Sequence, residues 1–363
     1  MLRRRSIYSK GRTVPVILAV AASLLLCACS DDRLPTEVVL TSDFLEDEVF
    51  RLEGHPCMKN EIMVYLANSE NQYSEVFGNR IWSVPVGDGT LEDSYKDNIL
   101  ARIAQIKTMN LLAQQYEVVL DEEESAKVKA AAREYYDSLT PAETDYLNVD
   151  METIEKLYGE FAVANKLYET ITKDVNPEIS DDEARTITVK TILVKTYRID
   201  ENGQRIEYTD EEKKNALSRI AQIRQKLDEG VAFEVLAADY NEDVKDEYSF
   251  GRGVMPEEFE EAAFNLGEGE VSDIIETDYG YHLIYCVTTF NPEETDANKE
   301  KIVEKRKQEA FDEVYNNFVT TLTSNLNKPL WDSIHYDSGG SVTTTGFFDI
   351  YDNYFTIVST QLS

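Results

Sequence analysis

The chain changes its hydrophobic pattern at one stretch, TITVKTILV (residues 186–194). Most residues in this stretch are β-branched, which is typical of a buried β-strand. Upstream, over residues 43–173, apolar residues recur at spacings of three and four, the period of an amphipathic helix. Downstream, as far as residue 287, short helical and strand patterns alternate. The sequence therefore predicts an α+β protein, in which a helical domain precedes a compact α/β domain with a small antiparallel sheet flanked by helices.

The helical domain is predicted from stripes of apolar residues and one helix start. Ile99, Ile103 and Ile106 share a helical face. Asp121 and Glu124 form a capping box, in which two side chains satisfy free N–H groups at a helix start. The next stripe consists of Ile154, Leu157, Phe161, Ala164, Tyr168 and Ile171. Such stripes are packing faces, so they indicate a helical bundle and no chemistry.

The compact domain is predicted from turn and cap signals. Residues 202–203, Asn-Gly, are typical of a tight hairpin turn. Thr209 and Glu212 form a second capping box, before a helix that ends at Gly230. The remaining elements are predicted as helices over residues 233–240 and 255–266 and strands over residues 274–276 and 281–287.

A long charged helix is predicted over residues 294–324. Its apolar face consists of Phe311, Val314, Phe318 and Leu322. A face of this length needs a partner, and we expect the helix to pack on the helical domain. The segment from residue 337 onward, rich in Gly, Thr, Tyr and Phe, has no assignable pattern.

The N-terminus has three parts in order. Basic residues come first: Arg3, Arg4, Arg5, Lys10 and Arg12. An apolar run over residues 14–26 follows, too short to span a bilayer, which takes about 20 residues. The run ends in LCAC (residues 26–29), which resembles a bacterial lipobox, whose cysteine becomes the acylated first residue of the mature protein. We therefore predict a signal peptide over residues 1–28, a lipid on Cys29 and a tether over residues 29–42. The alternatives are an ordinary cleaved signal or a short membrane anchor.

The mature chain is strongly acidic. Residues 1–28 contain five basic residues and no acid, so 31 of the 36 Lys+Arg remain against 69 Asp+Glu, a formal charge of −38. Such a surface repels nucleic acid and anionic lipid headgroups, which argues against both as partners. It also favours solubility.

The remaining cysteines and histidines predict no metal site and no cofactor. Cys57 and Cys286 lie in different predicted segments, so a disulfide between them is not expected. The three histidines are scattered along the chain: His55, His282 and His335.

Four stretches of the compact domain form a pattern. They are TILV (191–194); GVAFEVLA (230–237) with YNED (240–243); FGRGVMPEEF (250–259) with AAF (262–264); and GEGEVS (267–272) with TDYGYHLI (277–284). In this order and spacing they resemble the parvulin-type peptidyl-prolyl isomerase domain, over residues 185–287. The resemblance implies catalysis of rotation about X–Pro bonds, without a cofactor.

The resemblance also implies site residues. Met255 and Phe259 match the Met and Phe that build the family's proline pocket. Asp243 lies where the family has a catalytic Asp or Cys, and His282 matches the second of its paired histidines. Thr277 matches the Thr of the same network. Each residue also has a purely structural interpretation: His282 as a satisfied strand residue, Asp243 as a solvated acid, and Met255 and Phe259 as core.

Two departures from the family pattern put the catalytic rate in doubt. Thr191 replaces the first family histidine, and a hydroxyl can hydrogen-bond His282 but cannot carry a proton as imidazole does. The family's Gly-Asp-Leu-Gly stretch is replaced by DEYS (residues 246–249), so we expect the pocket to lose an apolar wall.

The whole layout resembles exported folding factors of the SurA-like and PrsA-like kind. In these, a helical domain and a C-terminal helix form a chaperone module with a parvulin domain between them. The predicted divisions are 43–180 for the helical chaperone-like domain, 181–290 for the parvulin-like domain, 291–336 for the C-terminal helix packed on the helical domain, and 337–363 for an unassigned tail.

The predicted function is that of a lipid-anchored extracytoplasmic folding factor, periplasmic or on the cell surface, that isomerises X–Pro bonds weakly. Its expected partners are unfolded or emerging exported polypeptides, and its contact with the membrane is through the lipid. The alternative is a non-catalytic holdase whose degenerate parvulin domain only binds peptides. A third interpretation is an accessory lipoprotein of one complex, for which the unassigned tail is the only indication.

Overall fold

The computed structural model describes residues 36–37, 44–201, 203–336, 340 and 342–355. The predicted signal peptide over residues 1–28 and the predicted lipidation of Cys29 lie outside these residues. Most of the predicted tether over residues 29–42 and Asn202 of the predicted turn lie outside them as well.

The described residues alternate between helices and short strands. The helices are α1 (Lys59–Phe77), α2 (Leu91–Gln115), α3 (Glu122–Ser138), α4 (Pro141–Leu147), α5 (Met151–Thr172), α6 (Asp181–Ala184), α7 (Asp210–Asp228), α8 (Phe233–Tyr240), α9 (Glu257–Asn265), α10 (Pro292–Val319), α11 (Lys328–Asp332) and α12 (Phe347–Tyr354), with a 3-10 helix at Asn79–Ser83. The strands are β1 (Thr36–Glu37), β2 (Glu48–Leu52), β3 (His55–Met58), β4 (Pro85–Val86), β5 (Gly89–Thr90), β6 (Ile187–Lys195), β7 (Tyr197–Ile199), β8 (Arg205–Glu207), β9 (Glu247–Phe250), β10 (Ile275–Thr277), β11 (Gly280–Thr288) and β12 (Ser324–Leu326).

The chain forms two compact units. The first consists of Met1–Thr170 and Val314–Ser363, and the second of Ile171–Glu313. We call them the helical unit and the sheet unit. The predicted domain divisions at residues 180, 290 and 336 stay predictions.

The predicted apolar stripes form the core of the helical unit. The three isoleucines of α2 are buried, and so are Ile154, Leu157 and Phe161 of α5. The capping box at the start of α3 is present, because the Glu124 N–H donates to Asp121 and the Asp121 N–H donates to Glu124. These contacts confirm the helical patterns predicted for this segment.

A four-stranded sheet in the helical unit corrects the prediction that residues 43–173 are helical throughout. Its order is β1-β12-β2-β3, so β2 and β3 lie inside the predicted helical segment. β2 pairs with β12, where Leu52 faces Ser324 near the other end of the chain. β2 also pairs with its neighbour β3, where Leu52 faces His55, so this sheet combines a local hairpin with a remote strand.

The unassigned C-terminal segment contributes a helix to the same core. Phe347 of α12 is 1% exposed. Its ring stacks on Tyr158 with centroids 4.4 Å apart and meets Tyr135 edge-on at 5.2 Å. The Tyr158 hydroxyl also donates to the Phe347 carbonyl oxygen. The described part of the tail is therefore a packing element of the helical unit.

The sheet unit is built on an antiparallel sheet with the order β10-β11-β6-β9. On one face, which we call the α9 face, Phe259 and Ala263 pack with Val189, Phe250 and Ile284. On the other face, Ile220 of α7 and Leu236 of α8 pack with Ile192, Val194 and Leu283. The long strands of the sheet are thus buried on both sides, as the apolar character of residues 186–194 predicts.

The remaining elements of the sheet unit match their predictions closely. The Thr209–Glu212 capping box begins α7, with both reciprocal hydrogen bonds present. Gly230 follows the helix with φ of 94°, a conformation that favours glycine. The predicted hairpin is formed by β7 and β8.

The long helix α10 ends at Val319, before the predicted end at residue 324, because residues 324–326 pair as β12. Within the sheet unit it contacts the segment before β6. Thr295 accepts a hydrogen bond from the Thr186 N–H at 3.1 Å, and the Asn298 amide donates to the Ala184 carbonyl oxygen at 3.0 Å. Packing of this helix on the helical domain stays a prediction.

Within the part of the chain that the structure describes, no helix is both long and apolar enough to cross a membrane. Cys57 and Cys286 are buried free thiols, one in each unit. Over the same residues, no group of His, Cys, Asp and Glu side chains is placed to hold a metal ion.

Candidate active site

His282 occupies the centre of the α9 face. It lies on β11, opposite Leu193 of β6 and Ile275 of β10, and is 6% exposed. The Phe259 ring meets the imidazole edge-on with centroids 5.2 Å apart. Burial lowers the pKa of His282 to about 4, although the Asp243 carboxylate acts in the opposite direction. The imidazole is therefore neutral at neutral pH.

Thr277 is the hydrogen-bond partner of His282. Its Oγ1 lies 2.9 Å from His282 Nε2 and also accepts from the Tyr279 N–H at 3.1 Å. Both contacts depend on the tight turn between β10 and β11, in which Thr277 pairs with Gly280. Gly280 has φ of 138°, and a Cβ there would lie 2.2 Å from the Val194 carbonyl oxygen. Only glycine fits this position, so the turn geometry that aligns Thr277 with His282 is specified by the sequence.

Asp243 lies on a loop that is bonded along the edge of β6. The Asn241 side-chain oxygen accepts from the Leu193 N–H at 2.9 Å, and the Glu242 N–H donates to the Leu193 carbonyl oxygen at 2.9 Å. Further along, the Thr191 N–H donates to the Asp246 carbonyl oxygen at 2.8 Å. These bonds hold Asp243 beside the part of β6 that carries residues 191–193.

The Asp243 carboxylate is half-buried and accepts two hydrogen bonds. Oδ1 accepts from the Val244 N–H at 2.7 Å, and Oδ2 accepts from the Tyr248 hydroxyl at 2.8 Å. Tyr248 lies on β9 and packs its ring against the core of the α9 face. The wall that we expected the DEYS replacement to remove is therefore partly rebuilt by an aromatic ring.

Thr191 is almost completely buried, at 1% exposed. It faces Ile284 on β11, so its side chain is a diagonal neighbour of His282 on the same face. Two atoms here, Thr191 Oγ1 and His282 Nδ1, are buried without a hydrogen-bond partner among the described residues. The bond that a hydroxyl at Thr191 could make to His282 is not formed, and among the described residues the imidazole bonds to Thr277.

Met255 and Phe259 belong to one apolar cluster on the α9 face. Phe259 is buried and Met255 is partly exposed at the edge of the same cluster. Between β9 and α9, the Glu260 carboxylate accepts from the Gly253 N–H at 2.6 Å and so fixes the segment before Met255. An apolar surface of this kind suits a proline ring.

The structure thus brings together His282, Thr277, Phe259 and Met255, with Asp243 and Thr191 alongside. The residue that sequence reasoning missed is Tyr248. Its signal in the sequence was an aromatic residue inside DEYS, the stretch that departs from the family pattern.

Parts of the chain are similar to known proteins. Residues 192–288 match the family model "Rotamase: PPIC-type PPIASE domain". Foldase protein PrsA of Geobacillus kaustophilus is 38% identical over 120 residues, which cover 31% of this chain and 40% of that protein. Foldase protein PrsA of Halalkalibacterium halodurans is 27% identical over 219 residues, which cover 58% of this chain and 62% of that protein. In both alignments the chain spans less than two thirds of the relative.

Among solved structures, peptidylprolyl isomerase PrsA from Bacillus cereus is 20% identical, with a TM-score of 0.37, and the match covers 74% of this chain and 97% of that one. The sequence matches and the His282–Thr277 geometry lead to one conclusion. The chain carries a PPIC-type PPIase domain over residues 192–288, and it is similar to PrsA foldases over the aligned residues.

Proposed function

We propose that the protein is a parvulin-type peptidyl-prolyl isomerase that assists the folding of exported proteins. The observation that carries the proposal is the buried His282, whose Nε2 lies 2.9 Å from Thr277 Oγ1 and whose ring meets Phe259 edge-on. A buried imidazole has a desolvation cost that an apolar side chain at the same position would not have. Packing alone therefore does not explain a histidine here.

Catalysis of this reaction requires little chemistry from the protein. Rotation about an X–Pro bond is slow because amide resonance opposes it with a barrier of ~18–20 kcal/mol. The twisted amide is less polar than the planar one, so a desolvated pocket that holds the proline ring favours it. Met255 and Phe259 would hold the ring, and the neutral His282 would stand beside the rotating bond without an ionic charge.

The hydrogen bonds of Thr277 support one tautomer of His282. Thr277 Oγ1 already accepts from the Tyr279 N–H, so its own hydroxyl hydrogen is available to His282 Nε2. If Thr277 donates this bond, the imidazole proton would reside on Nδ1, the atom that has no protein partner over the described residues. Nδ1–H would be free to donate to a peptide carbonyl oxygen or to Thr191.

Thr191 is the reason to propose a weak enzyme. A threonine hydroxyl accepts and donates hydrogen bonds but does not take up a proton near neutral pH. The site would stabilise the twisted amide by apolar contacts and one imidazole, without a second imidazole to polarise the network. A modest rate enhancement follows.

The test compares two histidine variants of the whole protein. Cis–trans exchange in a short X–Pro peptide is measured by NMR at increasing protein concentration. We expect the wild type to accelerate exchange, and the acceleration by His282→Ala to be at least tenfold smaller. The control His335→Ala, at an exposed histidine, should accelerate exchange as much as the wild type does. Wild-type exchange equal to that in buffer would exclude the isomerase proposal.

A holdase is the second candidate, and the unpaired Thr191 and His282 atoms favour it, since an incomplete network can bind peptide without catalysis. In that case aggregation of an unfolded client would be suppressed equally by the wild type and His282→Ala. The third interpretation, an accessory lipoprotein, loses its only indication, because the described part of the tail is a core helix.

We also propose that the protein acts outside the cytoplasm, held to a bacterial membrane by a lipid on Cys29. The order of basic residues, apolar run and LCAC at residues 26–29 supports this. The acidic surface would keep such a factor soluble while it meets emerging polypeptides. Cys29→Ser should move the protein from the membrane fraction to the soluble fraction, and unchanged fractionation would contradict the anchor.

A further inference from the structure

The Tyr248 hydroxyl is a polar group of the site with no role in the parvulin-like motifs. It donates to Oδ2 of Asp243 at 2.8 Å, the usual length of an O–H···O hydrogen bond. We propose that Tyr248 is a positioning residue, whose hydroxyl holds the Asp243 carboxylate beside Thr191 and His282. The inference rests on the proposed isomerase function and adds a residue to it.

Strand register places these groups on one face. Tyr248 pairs with Val189, and His282 pairs with Leu193. Residues 189 and 193 are separated by an even number of positions along β6, so both partners lie on the α9 face. Thr191 stands between them, and the phenol and the imidazole are its diagonal neighbours on either side.

The loop backbone around Asp243 is bonded to β6, but these bonds do not fix the direction of the Asp243 side chain. Val244, the next residue, is 92% exposed, and the chain carries a formal net charge of −33. A carboxylate at such a place gains by turning toward solvent, away from other acids. The Tyr248 ring, in contrast, packs against the core of the α9 face. The hydrogen bond therefore joins a loop side chain to a ring that packs in the core of the α9 face.

The phenol stays a donor at neutral pH. Burial and the hydrogen bond to the Asp243 carboxylate raise the pKa of Tyr248 to about 12. The proton needed for the bond to Asp243 is therefore retained. The carboxylate also acts on His282, where it opposes the effect of burial on the imidazole. Loss of the Tyr248 hydroxyl should therefore alter the electrostatic environment of His282 through Asp243.

Tyr248→Phe tests the inference, since it keeps the ring and removes only the hydroxyl. We expect kcat for the X–Pro peptide to fall about tenfold with KM little changed, because the apolar pocket stays intact. Combining Tyr248→Phe with Asp243→Ala should cost no more than Asp243→Ala alone. The imidazole 15N chemical shifts of His282 should change in Tyr248→Phe.

Tyr240→Phe is the matched control. Its hydroxyl accepts a hydrogen bond from Lys226, and its ring packs on the opposite face of the sheet. This variant should keep wild-type kcat and the His282 shifts. Wild-type kcat in Tyr248→Phe, or additive losses in the double variant, would overturn the inference alone. A wild-type protein without any catalysis would overturn the isomerase proposal itself, and the inference with it.

Discussion

Two buried polar clusters, one in each unit, differ in how completely their groups are paired. In the helical unit, Lys107 bonds both Glu61 and Glu160, and Lys156 also bonds Glu61. In the sheet unit, His282 has one bond through Nε2, and its Nδ1 and the neighbouring Thr191 Oγ1 have none over the described residues. An unpaired buried polar atom costs about 1–3 kcal/mol, so it persists where function requires it. The complete pairing of the first cluster is typical of a structural role, and the unpaired atoms of the second are what the proposed isomerase site would require.

The ion pairs of the first cluster affect the pKa values of its two carboxyl groups. Burial acts to raise the pKa of Glu61, but Lys107 and Lys156 together lower it below its usual range. Burial raises the pKa of Glu160, although Lys107 acts against it. One buried ammonium group thus compensates two carboxylates, and its loss would leave them facing each other.

Lys107→Met should therefore have the largest effect. We expect a loss of about 3–5 kcal/mol in the unfolding free energy of the helical unit, since two buried carboxylates lose their shared cation. Hydrogen exchange in α2 and α5 measures it. Lys127→Met, which removes only an exposed pair with Glu123, should leave the unfolding free energy almost unchanged. A loss at Lys107 no larger than this control would contradict the structural role of the cluster.

The second cluster should make the stability of the sheet unit depend on pH. His282 has a pKa of about 4 in the folded protein, below its ordinary value. As pH falls through the range between these values, the unfolded chain takes up a proton that the folded protein excludes. The contribution of neutral His282 to the unfolding free energy is therefore fully present above pH ~7. It falls by about 3 kcal/mol between pH ~6.5 and ~4.

The measurement is the unfolding free energy of the wild type and of His282→Gln across this pH range. The difference between the two should change with pH, whereas His335→Gln, at an exposed histidine, should follow the wild type. A constant difference between wild type and His282→Gln would show that His282 is not held neutral by burial.

Gly280→Ala should disturb the turn that aligns Thr277 with His282. Because φ at this position is 138° and a Cβ would meet the Val194 carbonyl oxygen, we expect a loss of about 2–3 kcal/mol in the unfolding free energy. Gly269→Ala has a positive φ but open space, and should cost about 1 kcal/mol. Denaturant titration of both variants measures this, and equal losses would contradict the role of the close approach.

Much of the sheet unit could be predicted from sequence because its signals are local. The β-branched run became β6, and the Thr209–Glu212 cap began α7. The resemblance to the parvulin family implied that His282, Thr277 and Phe259 belong to one site, and the structure brings these three side chains together.

The parts that could not be predicted depend on remote partners. β2 pairs with the remote β12 as well as with β3, and Phe347 packs against Tyr135 and Tyr158, which are far from it in sequence. The bond from Tyr248 to Asp243 joins a strand to an irregular loop, and no periodicity describes a loop. The absence of a bond between Thr191 and His282 could be seen only from the geometry of the sheet face in the described residues.

Thr191→Val has the smallest expected effect on stability and tests the comparison most directly. Valine keeps the shape and strand preference of threonine and puts a methyl group in place of the hydroxyl, which has no hydrogen-bond partner among the described residues. If that hydroxyl is retained for function, the unfolding free energy should rise by about 1 kcal/mol, while kcat/KM for an X–Pro peptide falls. Both quantities are measured on the same variant. A more stable protein with reduced isomerase activity is the predicted result, and a less stable protein with full activity would contradict the account.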